Sequence, residues 1–276
     1  MKIGLALQGG GVRGAAHIGV IKTLEENNIR IDNIGGTSAG SMVSVLYSMG
    51  YKPKEMLELF KHFSKTIMGV STNTIFGMKT GGIISSSNIE LVFKEISKLR
   101  GIDKITDIEM PIVIPATDLI GSKQIVFTNS PNLKGDNYIS DIEVAKAVRA
   151  SSTFPGIYRP FEYKNFQFVD GGIFNNLPVK ELKETGADKV IAIKFNIKEN
   201  KKNNTMYNII MQVVDIMSDN LIMEQEKYSE CLIDIDLKGI KVFNINKIDF
   251  CYEEGYIQTM ENMDKIKKCL KFNKIA

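Results

Sequence analysis

Short runs rich in β-branched residues alternate with stretches of helical spacing along most of this sequence, and few folds accept that order. Strands are predicted at Lys2–Leu7, Asn33–Gly36, Ile112–Thr117, Ile125–Thr128, Phe166–Val169 and Lys189–Ile193. Helices are predicted at Gly14–Glu26, Ser41–Met49, Pro53–Ile67, Asn88–Leu99, Ile142–Arg149 and Val179–Thr185. A chain that interleaves the two in this way builds an α/β fold, a mostly parallel sheet with helices on both faces. Runs such as Val190-Ile191-Ala192-Ile193 show no polar residue at every second place, as expected of strands covered on both sides.

After a polar segment, Asn196–Thr205, the pattern predicts a Met-rich amphipathic helix over Met206–Lys227, a strand at Cys231–Leu237 and a last helix near Tyr252–Phe272. There is no internal repeat and no second compositional break. The 276 residues are therefore expected to form a single domain, 1–276, with 205–276 packed on the part before them. Met68–Gly82 is apolar yet rich in Gly, Ser and Thr, and reads first as an ordinary long loop and second as a flap over a site. A net charge of +3 is too small to argue for nucleic acid and is compatible with contact to an anionic membrane surface. The opening MKIGLALQGGG has neither the apolar stretch of roughly 7–15 residues nor the cleavage site of a secretory signal, and no window approaches the ~18 apolar residues of a membrane span. Cys231, Cys251 and Cys269 are widely spaced, without a CxxC pair, and read as reduced thiols of a cytoplasmic protein. No metal site is expected.

Three glycine-marked segments carry the chemistry. Gly9-Gly10-Gly11-Val12-Arg13-Gly14 ends the first strand and opens a helix. Glycines let backbone N–H groups converge with no Cβ in the way, and the helix N-terminus adds positive potential, which suits an anion or a developing oxyanion. Alone, such a G-x-G-x-x-G is unspecific. Gly36-Thr37-Ser38-Ala39-Gly40 is a G-x-S-x-G between a short apolar strand and a helix, a setting in which a tight turn pushes a serine Oγ outward. Its plain alternative is a turn whose serines cap the next helix. Asp170-Gly171-Gly172 follows a strand and places a carboxylate where open α/β sheets hold ligands, although by itself it reads as an ordinary Asp-Gly turn. The weight lies in all three, in this order, on one sheet edge.

A serine nucleophile needs a base within hydrogen-bond reach, usually a histidine. The chain has only His17, expected to pack against its neighbours in the first helix, and His62, in the polar stretch KHFSK. A carboxylate is left. Free aspartate titrates near ~3.9 and is a poor base, but burial beside apolar walls raises that value. Asp118, after the strand Ile112–Thr117, is the rival; it lacks the following glycine pair, and Asp170 is preferred.

With these residues in view, the chain resembles bacterial patatin-like phospholipases. GGGVRG at 9–14, GTSAG at 36–40, ATDL at 116–119, ASSTFPGIYRPF at 150–161 and DGGIFNNLPV at 170–179 stand in the family's order over most of 1–195. The C-terminal third matches only in style, including EEGY at 253–256. The resemblance implies a three-layer α/β/α fold with a mostly parallel central sheet. It implies hydrolysis of acyl esters of phospholipids, lysophospholipids or neutral lipids by a Ser–Asp dyad, here Ser38 and Asp170. Gly9, Gly10, Gly11, Arg13 and Gly14 would form the oxyanion loop, with Gly10 and Gly11 as donors. Gly36, Thr37, Ala39 and Gly40 would shape the nucleophile's turn, and Gly171 and Gly172 that of the aspartate. No calcium or organic cofactor is implied; the partner is a lipid ester, met at a membrane surface by a protein without a transmembrane segment. Arg13 either orients a substrate phosphate or pins its loop. The methionines of 206–227 read first as core and second as the lining of an acyl channel.

Two readings from other classes stay open at this point. A nucleotide-binding oxidoreductase would place an acid at the end of the second strand, where this chain has Gly36-Thr37-Ser38. A regulatory binding protein on a hydrolase-like fold would keep the motifs without turnover.

Overall fold

The computed structural model describes residues 1–68, 85–197 and 206–271. Most of the predicted flap (69–82) and of the polar segment (198–205) therefore lies outside the described residues. The strands are β1 (Ile3–Leu7), β2 (Asn33–Gly36), β3 (Ile112–Asp118), β4 (Lys123–Thr128), β5 (Tyr138–Ile139), β6 (Phe161–Tyr163), β7 (Phe166–Asp170), β8 (Lys189–Asn196) and β9 (Cys231–Asp236). The helices are α1 (Ala15–Glu26), α2 (Ala39–Ser48), α3 (Pro53–Met68), α4 (Ser87–Leu99), α5 (Val144–Ser151), α6 (Val179–Glu184), α7 (Met206–Glu226), α8 (Ile248–Glu261) and α9 (Met263–Leu270).

β1 is buried along its whole length, and alternate side chains show why. Leu5 and Leu7, with Ile34, Ile191 and Ile193, enter a large core shared with α1, α2 and α3. Ala6, with Val113, Val190 and Ala192, enters a smaller core closed by Leu177, Leu182 and Ile222. Each central strand thus buries both faces, which removes the polar alternation of a half-exposed strand. The result is a three-layer α/β/α fold around a mostly parallel sheet. Its strand order is β5-β4-β3-β2-β1-β8-β9, with β7 joined to β3 and β6 joined to β7.

One detail of this topology makes the site. The first half of β3 pairs parallel with β2, Gly35 lying opposite Val113. Its last residues pair antiparallel with β7, Ala116 lying opposite Asp170. β4 occupies the other edge of β3 throughout, so β2 and β7 share one edge and approach from opposite directions. The three steps from Val113 to Ala116 leave a gap of about 10 Å at ~3.3 Å per residue. Into that gap run both the chain leaving β2, at Thr37 and Ser38, and the end of β7.

The C-terminal third differs from expectation in two respects. The predicted last helix is broken into α8 and α9 at Asn262, whose backbone N–H and side-chain amide both donate to the Gln258 carbonyl. The described methionines of α7, Met217 and Met223, are exposed rather than core. α8 crosses α1 so closely that a Cβ on Gly255 would strike the Ala16 backbone, and the Thr23 hydroxyl donates to the Tyr256 carbonyl at 3.1 Å.

Candidate active site

Ser38 sits between β2 and α2 with φ 53° and ψ −121°, a conformation costly for a residue with a Cβ. The fold holds it there from several sides. The Ser38 N–H donates to Ser151 Oγ at 3.0 Å, the Thr37 hydroxyl to the Asn175 carbonyl at 2.7 Å, and the Ser41 hydroxyl back to the Ser38 carbonyl at 2.6 Å. Gly40 lies against the carbonyls of Leu7 and Gln8, where a side chain has no room. Ser38 occupies the N-cap position of α2 but its hydroxyl makes no cap hydrogen bond, so the plain helix-capping alternative fails for this residue.

Asp170 ends β7 and is 4% exposed. Its backbone is fixed on both sides, N–H to the Thr153 carbonyl at 2.9 Å and carbonyl from the Thr117 hydroxyl at 3.0 Å. Oδ1 accepts the Gly172 N–H at 2.9 Å. Oδ2 is buried with no hydrogen bond of normal geometry. Burial lifts the carboxyl to about 6, against smaller lowering effects of the Gly172 amide and the nearby Ser38 side chain. Ser38 and Asp170 thus make no hydrogen bond of normal geometry, although the serine side chain lies near enough to affect the carboxyl. Asp118, the rival, is also buried but spent: its oxygens accept the N–H groups of Ile120, Gln167 and Gly121, closing the turn after β3.

Neither histidine joins the pair. His17 is fully buried, stacks on Phe195 at 4.6 Å, and hydrogen-bonds through Nε2 to the Gln8 carbonyl at 2.7 Å. A carbonyl can only accept, so Nε2 carries the proton. Burial pushes the imidazole down to about 4 despite that bond. His62 is exposed on α3.

The glycine loop divides into used and free donors. The Gly9 N–H is held by the Asn176 carbonyl at 3.3 Å and its Oδ1 at 3.1 Å. The Val12 N–H goes to Val242 at 2.9 Å and the Arg13 N–H to Gly10 at 3.3 Å. Gly14 closes the turn against Ala39 and Phe60. The N–H groups of Gly10 and Gly11 have no hydrogen-bond partner among the described residues. Gly11 has φ +58° and lies against Val242, so the loop's shape depends on a residue without Cβ. Arg13 Nε and Nη2 both donate to the Ile240 carbonyl, at 2.9 and 2.7 Å, so the guanidinium ties the loop to the segment after β9. Burial lowers its pKa, and Asp215 on α7 opposes that effect.

Sequence reading assigned no role to Ser151, Thr153 or Asn176, although each lies within a quoted motif. Asn176 ties three parts together, since its Nδ2 also donates to Ser218 Oγ of α7 at 2.6 Å. Among the described residues no group of His, Cys, Asp and Glu is placed to hold a metal ion. An open groove of about 590 Å³, lined by Ile3, Asn27, Arg30 and Lys267, lies at the other end of β1 and takes no part.

A family model described as patatin-like phospholipase matches residues 5–183. The lysophospholipase NTE1 of Candida albicans is 33% identical over 195 residues, which cover 69% of this chain and 13% of that protein. An uncharacterized NTE family protein of Mycobacterium tuberculosis is 30% identical over 197 residues, covering 71% of this chain and 49% of that one. This chain therefore spans only a fraction of these relatives' length. Among solved structures, VipD from Legionella pneumophila superimposes with a TM-score of 0.57 at 14% identity, covering 96% of this chain and 67% of that chain. Human GIVD cytosolic phospholipase A2 gives 0.53 at 11% identity, covering 98% and 58%. At such identities these structures speak for the fold alone.

Proposed function

The chain belongs to the patatin-like phospholipase family, and from that premise we propose that it is a lipid acyl hydrolase in which Ser38 is the nucleophile and Asp170 its base. The observation that carries this reading is a buried carboxyl at about 6 with one free oxygen, beside a serine held outward on a strained turn. At neutral pH the carboxyl is ionised and can take the Ser38 proton as Oγ attacks the acyl carbonyl. The oxyanion is received by the free N–H groups of Gly10 and Gly11, a contribution commonly worth ~3–4 kcal/mol. The alcohol departs with the proton held by Asp170, and water then attacks the acyl-enzyme with Asp170 as base again. The Ile240–Val242 segment supports the loop through Arg13 and Val12, which favours treating the C-terminal third as part of one catalytic unit.

The substrate class is a fatty-acyl ester of a phospholipid or lysophospholipid, as in the relative's printed name. Three free cysteines fit a cytoplasmic setting, peripheral to the membrane, and no described helix is long and apolar enough to cross one. The test is release of fatty acid from lysophosphatidylcholine. Wild type should hydrolyse it, and Ser38→Ala, correctly folded by circular dichroism, should not. Equal rates for the two proteins would remove the serine from the mechanism.

A further inference from the structure

α7 runs antiparallel to β8. Ser218 meets Asn176 at the site, Glu226 accepts from Lys194 Nζ at 2.5 Å, and Glu230 beyond the helix accepts the Val190 N–H at 2.7 Å, near the start of the strand. Going the other way from Ser218, the helix continues through Met206–Met217. At ~1.5 Å per residue those twelve residues extend about 18 Å. The half-helix therefore projects past the sheet at the end that holds Ser38 and Asp170.

Its composition is unusual for such a place. Nine of the twelve residues in MYNIIMQVVDIM are apolar, and the single charge is Asp215, which acts on Arg13. Ile209, Val213, Ile216 and Met217 are 46%, 50%, 55% and 54% exposed. Phe174, 40% exposed, continues the apolar surface from the loop that follows Asp170. Large apolar side chains gathered at one place and this exposed are normally covered by a partner or by lipid. Beside it Lys241, exposed and without an ion pair among the described residues, adjoins Val242, the residue that abuts Gly11.

We propose that this projecting half of α7, with Phe174 and Lys241, is the surface by which the protein seats itself on a lipid bilayer, so that an acyl ester enters the Ser38–Asp170 site directly from the membrane. The proposal rests on the hydrolase reading and names where its substrate is met. Continuity decides the occupant. The exposed stripe is joined to the glycine loop through Asn176–Ser218 and through Arg13, so what covers the stripe also faces the opening of the site. A lipid surface supplies apolar depth for the isoleucines and anionic headgroups for Lys241. A second copy of the chain seated there would close off the substrate's approach.

The experiment compares wild type, Val213→Glu/Ile216→Glu and Met223→Glu on vesicles of phosphatidylcholine and phosphatidylglycerol in equal parts. Binding is read by co-sedimentation, hydrolysis by fatty-acid release, and site integrity by turnover of a soluble short-chain p-nitrophenyl ester. The double variant should lose about tenfold or more in vesicle binding and vesicle hydrolysis, with soluble-ester turnover and melting temperature unchanged. Met223 is as exposed but lies on the half of the helix beside the sheet, and its variant should behave as wild type. Vesicle binding by the double variant equal to wild type overturns the proposal. So does a wild-type dimer by light scattering that the double variant makes monomeric, since the stripe would then belong to a second copy. If the double variant loses binding while wild type hydrolyses no ester, the hydrolase reading fails and the docking surface stands. If hydrolysis is normal and binding is unaffected, the reverse holds.

Discussion

Asp170→Asn should uncouple stability from function in a pH-dependent way. Burial moves the folded-state value from an ordinary 3.8 to about 6, so ionising this group works against the fold. Well below 4 the carboxyl is protonated in both folded and unfolded chains and has no effect. As pH rises towards about 6 the unfolded chain releases its proton first, and stability is lost across that window. At about 1.36 kcal/mol per unit, the loss reaches roughly 3 kcal/mol above pH ~7. Asparagine keeps an oxygen for the Gly172 N–H and has no charge, so its own curve lacks this slope. Any fixed offset from the new amide cancels when two pH values are compared. Urea unfolding at about pH 8 and about pH 4 should show the stability of Asp170→Asn relative to wild type increasing by roughly 2–3 kcal/mol towards the higher pH, with esterase activity lost at both. Curves that stay parallel across this range would refute a buried, raised carboxyl at position 170.

Two further outcomes follow from the same geometry. Ser38→Gly relieves the positive-φ strain of the turn and should gain about 1 kcal/mol in thermal or urea unfolding while losing all turnover; a less stable variant would mean that Ser38 is not strained. His17→Gln should lower the melting temperature, because the stack on Phe195 is lost, yet retain most of kcat; a folded but inactive variant would return the histidine to the mechanism.

The central strands, the helices around them and the three glycine-marked turns were legible in the sequence because their signals are local. Val190-Ile191-Ala192-Ile193 announces a strand buried on both faces, and Gly36-Thr37-Ser38-Ala39-Gly40 announces its turn. What the sequence hides is pairing between distant segments. β6 is three residues long and gains its place only by pairing with β7. The antiparallel joining of β7 to the end of β3 brings Asp170 to Ser38, and no periodicity encodes it. The partners that fix the site lie far off in the chain: Ser151 reaches Ser38 across 113 residues and Ile240 reaches Arg13 across 227. Arg13 looked equally able to meet a phosphate or a carbonyl because the sequence does not show what lies opposite it. The methionines of α7 suggested core because their spacing is helical, and spacing does not reveal that Met217 and Met223 face outward.

Whether a buried aspartate, with no histidine, activates Ser38 can be read from the rate of fluorophosphonate labelling as a function of pH. Wild type and His17→Gln should label at a rate that rises through about 6 and then levels, and Ser38→Ala should not label. Labelling that tracks a histidine and collapses in His17→Gln, or wild type that does not label at any pH, would contradict activation by the aspartate.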